Sequence, residues 1–300
     1  MKQCLFLISL SRLFESGLTM DGALEFAKEA GFGAVEPTNI GELAVPDTEK
    51  AKRFADRCSR LGLEIPCFSM PVRLETADYI QQTERIFAFI DMAHVMGAKF
   101  FHHTIAPTLE HTAHEMPLYE QIKPQLIEAA GRIQRYAAKY GITCVYEDQG
   151  YVVNGIQNYG DFFLSLPEPN KGVVSDLGNI LFVNERPEDF TAHFLNNIVH
   201  VHIKDYLKKA GSAQFPGKGW YLSKNGDFLR GTVIGHGSVD FIQIFKILIR
   251  SGYKGWYSIE FDGLEDPLLA AELGRENAQY YYEEAQRQIG AGPNKAINVV

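Results

Sequence analysis

The sequence predicts an α/β fold: a single (β/α)8 TIM barrel over residues 1–289, with a long loop and hairpin inserted after strand seven and a flexible C-terminal tail over 290–300. Three observations carry this reading. Eight short apolar runs alternate with longer amphipathic stretches, the pattern of parallel strands joined by crossover helices. The phrase "helix, Gly, apolar strand" recurs at AGFGAVE, LGLEIP, MGAKFF, YGITCVY and SGYKGWYSIE. No Pro/Gly/Ser linker or low-complexity tract divides the 300 residues, a length that one barrel fills.

The eight runs are CLFLISL (4–10), GAVEP (33–37), LEIPCFSM (63–70), AKFFHHT (98–104), ITCVYED (142–148), GVVSDLGN (172–179), IVHVHIKD (198–205) and GWYSIEFDG (255–263). Helices are expected in DGALEFAKEAG, DTEKAKRFADRCSRLG, Asp78 to Met96, Glu115 to Tyr140 and VDFIQIFKILIRSG. Asp21, Asp47 and Asp240 stand where a carboxylate caps free amides, and Gly31, Gly62, Gly97, Gly141 and Gly252 follow the helices. A doubly wound open sheet would call for a Gly-rich phosphate turn after the first strand, but SLSRLFESGLT contains none. The stretch 206–238 is too long for an ordinary βα loop, and Asn225-Gly226 marks a hairpin within it. It reads as a lid over the site or as an oligomer contact.

Composition narrows the function. Apolar residues make 46% and charged residues 22%, the balance of an ordinary globular domain. The net charge of -8 opposes a duplex phosphate backbone, so no nucleic-acid partner is expected. Cys4, Cys58, Cys67 and Cys144 form no CxxC pair, which points to reduced thiols and a cytoplasmic chain. The opening MKQCLFLISL is read as a buried first strand, since no small-residue cleavage site follows it. No apolar stretch approaches the ~20 residues that span a bilayer, so no membrane is expected.

The chemistry gathers at the C-terminal ends of the later strands, the rim where a barrel builds its site. Glu147, Asp176, His202 and Glu260 lie 29, 26 and 58 residues apart in turn. The first two intervals each match one βα unit, and the third is one unit enlarged by the long loop. Alternation along WYSIEFD puts Ser258, Glu260 and Asp262 on one face, and along HVHIKD it groups His200, His202 and Lys204. Three carboxylates and an imidazole in a half-buried hollow repel without a counter-charge, and a divalent metal is the simplest one. The set suits manganese, magnesium, cobalt or zinc. Substrate contacts are expected from Glu36, Lys204 and His236. Of the neighbours His102 and His103, one must face inward, and His103 is assigned that place. Trp220 and Tyr221 could stack on a sugar, pack the loop down or meet a second subunit.

These pieces resemble the xylose isomerase-like superfamily of sugar isomerases and epimerases, which also holds the apurinic endonuclease barrels. The likeness runs over residues 1–285 and rests on GFGAVEP, YED at 146–148, VVSDLGN at 173–179, HVHIKD at 200–205, GHGSVDF at 235–241 and IEFDG at 259–263. It implies one divalent ion held by Glu147, Asp176, His202 and Glu260, with Glu147 and Glu260 flanking a sugar and shuttling a proton as catalytic residues. The expected activity is metal-dependent isomerisation or epimerisation of a small keto-sugar or sugar acid. The alternative is a dehydratase of the inosose or dehydroshikimate dehydratase type, with a nuclease third. Asn179 stands where the nucleases carry a His, and Val153 where the 3-epimerases carry a sugar-contacting Glu. Substrate and native metal stay open, as does the oligomeric state, with a homo-oligomer (dimer or tetramer) the expected form if the chain associates.

Overall fold

The computed structural model describes residues 1–109 and 118–291. The start of the helix expected from Glu115, and all of the tail beyond residue 291, lie outside the described residues. The barrel strands are β1 (Gln3–Phe6), β2 (Ala34–Glu36), β3 (Cys67–Met70), β4 (Phe100–His103), β5 (Thr143–Glu147), β6 (Lys171–Asp176) and β7 (Ile198–Ile203). The chain then forms β8 (Asp205–Lys209), β9 (Tyr221–Leu222) and β10 (Phe228–Thr232) before the last barrel strand, β11 (Tyr257–Ile259). The eight barrel strands pair in parallel in the order β2-β1-β11-β7-β6-β5-β4-β3. The ring is nearly closed. Between β2 and β3 the backbone pairing among the described residues is limited to the isolated bridges Ala34↔Glu64 and Thr38↔Ser69.

The helices cover the outside. They are α1 (Ser11–Glu15), α2 (Met20–Glu29), α3 (Thr48–Leu61), α4 (Tyr79–Val95), α5 (Tyr119–Ala138), α6 (Ile156–Ser165), α7 (Pro187–His193), α8 (Phe241–Ser251) and α9 (Pro267–Gly290). In α3, Ala51, Phe54 and Cys58 recur at helical spacing and are buried against the sheet. In α8 the same stripe is Phe241, Ile244, Phe245 and Leu248. Burying each large apolar side chain contributes about 1.5–3 kcal/mol. Asp47 caps α3, accepting from the Glu49 and Lys50 amides at 2.9 and 3.0 Å, and Asp240 caps α8. At α2 the expectation fails: Thr19, not Asp21, accepts the Gly22 amide, because the helix starts one residue earlier. Gly62 ends α3 at φ 69°, a left-handed conformation in which a side chain would be strained.

Two layers fill the barrel. Towards the N-terminal ends of the strands, Cys67, Val145 and Val174 pack with Phe100 and Val199 into an apolar plug. Above it the interior becomes polar, with Glu36, Ser69, His102, Glu147, Asp176, His200, His202 and Ser258 all buried. A register shift between Val173 and Val174 resets the pairing of β6 with β7, after which Asp176 lies opposite His202.

The insertion after β7 is an antiparallel sheet in the order β8-β10-β9, and a turn through Asn225-Gly226 joins β9 to β10. It is docked on the barrel rim. Leu229, Tyr206, Tyr151 and Phe182 form a separate buried cluster. The Lys224 amide donates to the Phe182 carbonyl at 2.7 Å, and the Tyr151 hydroxyl donates to the Leu222 carbonyl. Asp205 ties the other end down. Its carboxylate accepts from the backbone amides of Gly235, Gly237, Ser238 and Val239 at 2.8–3.2 Å, which folds the GHGSV turn.

Candidate metal centre

Four strand ends deliver four donors to one place. Glu147 closes β5, Asp176 closes β6, His202 stands near the end of β7, and Glu260 follows β11. All four are buried, and one ligand atom from each lies within 4.8 Å of the others. His202 Nδ1 is 2.6 Å from Glu147 Oε1 and 3.5 Å from Glu260 Oε2. Asp176 Oδ1 is fixed by the amides of Gly178 and Asn179 at 2.7 and 2.6 Å, and its Oδ2 has no hydrogen-bond partner among the described residues. Glu260 Oε1 meets Lys204 Nζ at 2.5 Å, while its Oε2 is likewise without a hydrogen-bond partner. Buried acceptors left open are costly unless a ligand meets them.

The electrostatics lead to the same conclusion. Burial pushes the Asp176 carboxyl up to about 6, against the pull of the Lys204 ammonium. Burial drives Glu260 further, to about 8, with Lys204 again opposing and Asp176 and Glu147 adding to the rise. Burial acts on Glu147 as well, but His202 outweighs it and holds that carboxyl down at about 2. Asp148 is raised well above the carboxylate range by burial and by Asp176 and Glu147. Four buried carboxyl groups, Glu36, Glu147, Asp176 and Glu260, thus share two basic partners, His202 and Lys204, and the rise of Asp176 and Glu260 reflects that shortage of positive charge. A divalent cation would supply positive charge there. An oxygen-rich set with one imidazole suits such an ion, and the open Asp176 Oδ2 and Glu260 Oε2 are free to ligate it.

The remaining expected residues are placed unevenly. Lys204 is buried beside the cluster, 3.8 Å from Asp176 Oδ2 and 3.4 Å from Asn179 Oδ1. His236 is exposed on the GHGSV turn and does not join the cluster. His103 points out of the barrel. Its Nδ1 meets the Thr104 carbonyl at 3.0 Å, and its ring meets Tyr146 edge-on. The inward histidine is His102, whose Nε2 lies 3.9 Å from Glu147 Oε2 and has no hydrogen-bond partner among the described residues. Phe100 faces the plug, so alternation sends His102 in and His103 out. Glu36 is also corrected. It is fully buried beneath the cluster, both oxygens are taken by Ser69, Ser258, His200 and His202, and no face is left for a substrate.

Several site residues carried no separate signal. Ser69 and Asp148 stand in unremarkable runs. Ser258 and His200 lie on faces already assigned inward by alternation, which was the one clue to them. Asn179 also turns towards the site, with Oδ1 near Lys204 and a buried Nδ2 without a partner among the described residues.

Residues 24–286 match the xylose isomerase-like TIM barrel family. The chain belongs to that family. Among curated proteins it is similar to the inosose dehydratase of Clostridium botulinum (strain Alaska E43 / Type E3), 27% identical over 281 residues that cover 89% of this chain and 90% of that one. Among solved structures, an L-ribulose 3-epimerase matches with a TM-score of 0.72 at 17% identity, covering 98% of this chain and 99% of that one. The IOLI protein, solved with a zinc atom, matches with a TM-score of 0.72 at 16% identity over 95% and 99% of the two chains. A probable 3-DHS dehydratase from Bacillus anthracis matches with a TM-score of 0.70 at 16% identity over 92% and 99%. At such identities these three likenesses concern the fold. Among the described residues, no helix is long and apolar enough to cross a membrane.

Proposed function

We propose that this family member is a metal-dependent dehydratase of a small polyhydroxy ketone of the inosose type. The isomerase or epimerase reading, which the sequence placed first, becomes the second. The observation that carries the proposal is the contact of Glu260 with Lys204 at 2.5 Å on the rim of the four-donor cluster. The curated inosose dehydratases, aligned over most of the chain, support it.

Loss of water needs a base at the carbon beside the carbonyl and an acid at the departing hydroxyl. Epimerisation instead needs bases on opposite faces of one carbon. A divalent cation held by Glu147, Asp176, His202 and Glu260 would stabilise the negative charge that develops on the ketone oxygen. Glu260 takes the carbon-bound proton through Oε1, the oxygen beside Lys204, which leaves Oε2 for the cation, and the C–H electron pair becomes a C=C bond. The C–O bond of the neighbouring hydroxyl breaks, and Lys204 gives that oxygen a proton, releasing water. The proton on Glu260 then passes to Lys204 and resets both groups. Glu147 holds His202 in place. Asn179, through its unpartnered Nδ2, offers a hydrogen bond to a substrate hydroxyl.

Manganese-loaded protein given inosose should develop the ultraviolet absorbance of a conjugated product. Lys204→Met should slow this about 10²–10⁴-fold, the contribution of a general acid. If inosose is left intact while solvent deuterium enters a ketohexose beside its carbonyl, the epimerase reading takes over.

A further inference from the structure

Glu36 is a carboxylate with no exposure, at the centre of the barrel, beneath the metal cluster. Its Oε1 accepts from the Ser69 hydroxyl and lies 3.1 Å from His202 Nε2. Its Oε2 accepts from the Ser258 hydroxyl and lies 2.8 Å from His200 Nε2. Each oxygen therefore receives two hydrogen bonds, and the four acceptor positions of the carboxylate are filled. The network is braced from the side, since His102 Nδ1 is 3.2 Å from the same Ser69 hydroxyl.

We propose that Glu36 is the positioning residue that keeps the proton of His202 on Nε2, so that Nδ1 turns a lone pair towards Glu147, Asp176 and Glu260. An ionised carboxylate only accepts hydrogen bonds, so the nitrogen facing it must carry hydrogen. The other nitrogen then becomes the donor atom for a cation. Nδ1 also faces carboxylates, 2.6 Å from Glu147 and 3.5 Å from Glu260, and it is the nitrogen whose proton a cation held by those carboxylates would replace, while Nε2 keeps its own. A carboxylate behind a ligating imidazole fixes both the tautomer and the ring orientation. Glu36, His200 and His202 also lie close enough to be a ligand set of their own. The two serine hydroxyls aimed at Glu36 leave it no free lone pair for a second ion. The inference rests on the metal reading of the cluster and not on the reaction assigned to it.

The test is zinc binding together with nitrogen-15 NMR of the histidine rings. Wild-type protein titrated with zinc in a calorimeter should take up one ion per chain, and long-range proton–nitrogen spectra should show the His202 proton on Nε2. Glu36→Gln keeps the size but can turn an amide N–H towards His202, so its zinc Kd should rise about 10–100-fold. An unchanged Kd in Glu36→Gln, a proton on Nδ1 in the zinc-loaded wild type, or two ions per chain with one lost in the variant would each overturn the proposal. The wild-type spectrum decides even if the variant does not fold. No zinc uptake by the wild type would overturn this inference together with the metal reading. Normal uptake without turnover of inosose would remove only the dehydratase assignment.

Discussion

His102 and His103 are adjacent, both buried, and opposite in role. His102 reaches towards Glu147, whereas His103 is sealed among the Phe101 and Tyr146 rings outside the strands. Burial, only partly offset by the Thr104 carbonyl, lowers His103 to about 4. The unfolded chain then binds the extra proton first, so this contribution to stability is present above about pH 6.5 and is lost as pH falls towards 4. It amounts to about 3 kcal/mol. Denaturant titrations of wild type and His103→Gln across pH 7 to 4 should show a flatter pH dependence in the variant; parallel curves would contradict this. The sequence reading assigns the inward place to His103 and the structure gives it to His102, because alternation fixes that two neighbours face opposite ways but not which one faces in. The gathering of Glu147, Asp176, His202 and Glu260 was legible because each lies at or beside the end of a barrel strand, one βα unit after the last. The place of Glu36 was not, because its partners come from three other strands, β3, β7 and β11.

Among the elements, the insertion departs most from the repeating unit. The Asn225-Gly226 signal located its turn, yet nothing local announced its docking, since Tyr151 and Phe182 belong to other loops. Leu229 is fully buried between them. Leu229→Ala should cost about 2–5 kcal/mol in local stability. The variant should show protease cleavage within 210–219 at concentrations that leave wild type intact, with the barrel transition little changed. Equal protection in both proteins would mean that the hydrogen bonds of Lys224 and Tyr151 suffice. A shortened insertion tests for a lid only if Leu229 is kept, because removing it also unpacks Tyr206, whose neighbour Asp205 folds the GHGSV turn.

For the whole molecule, fold class was readable because hydrophobic alternation and helix-ending glycines repeat around the ring. The reaction was not, because isomerase, epimerase and dehydratase draw on the same strand-end groups and differ in where a proton is delivered. The Glu260–Lys204 contact bears on that difference and spans 56 residues of sequence. Closing an electronegative chamber with a cation should stabilise the entire fold, since a ligand that binds only the native state adds about 2.7 kcal/mol at 100 times its Kd. Manganese or zinc should therefore raise the Tm by several degrees, and a chelator should reverse it. A Tm indifferent to both would argue against a metal in the cluster.

The seam between β2 and β3 gives the ring the character of a hoop fastened by a clasp. Elsewhere neighbouring strands share a ladder, but here Ser69 donates its hydroxyl to Glu36 across a junction whose backbone pairing, among the described residues, is limited to two isolated bridges. The stitch that fastens the hoop is thus one of the bonds that order the protons beneath the chamber. Girth and protonation are mechanically linked: a barrel that slackens at this junction also loosens the grip on His202, even with every strand still in place.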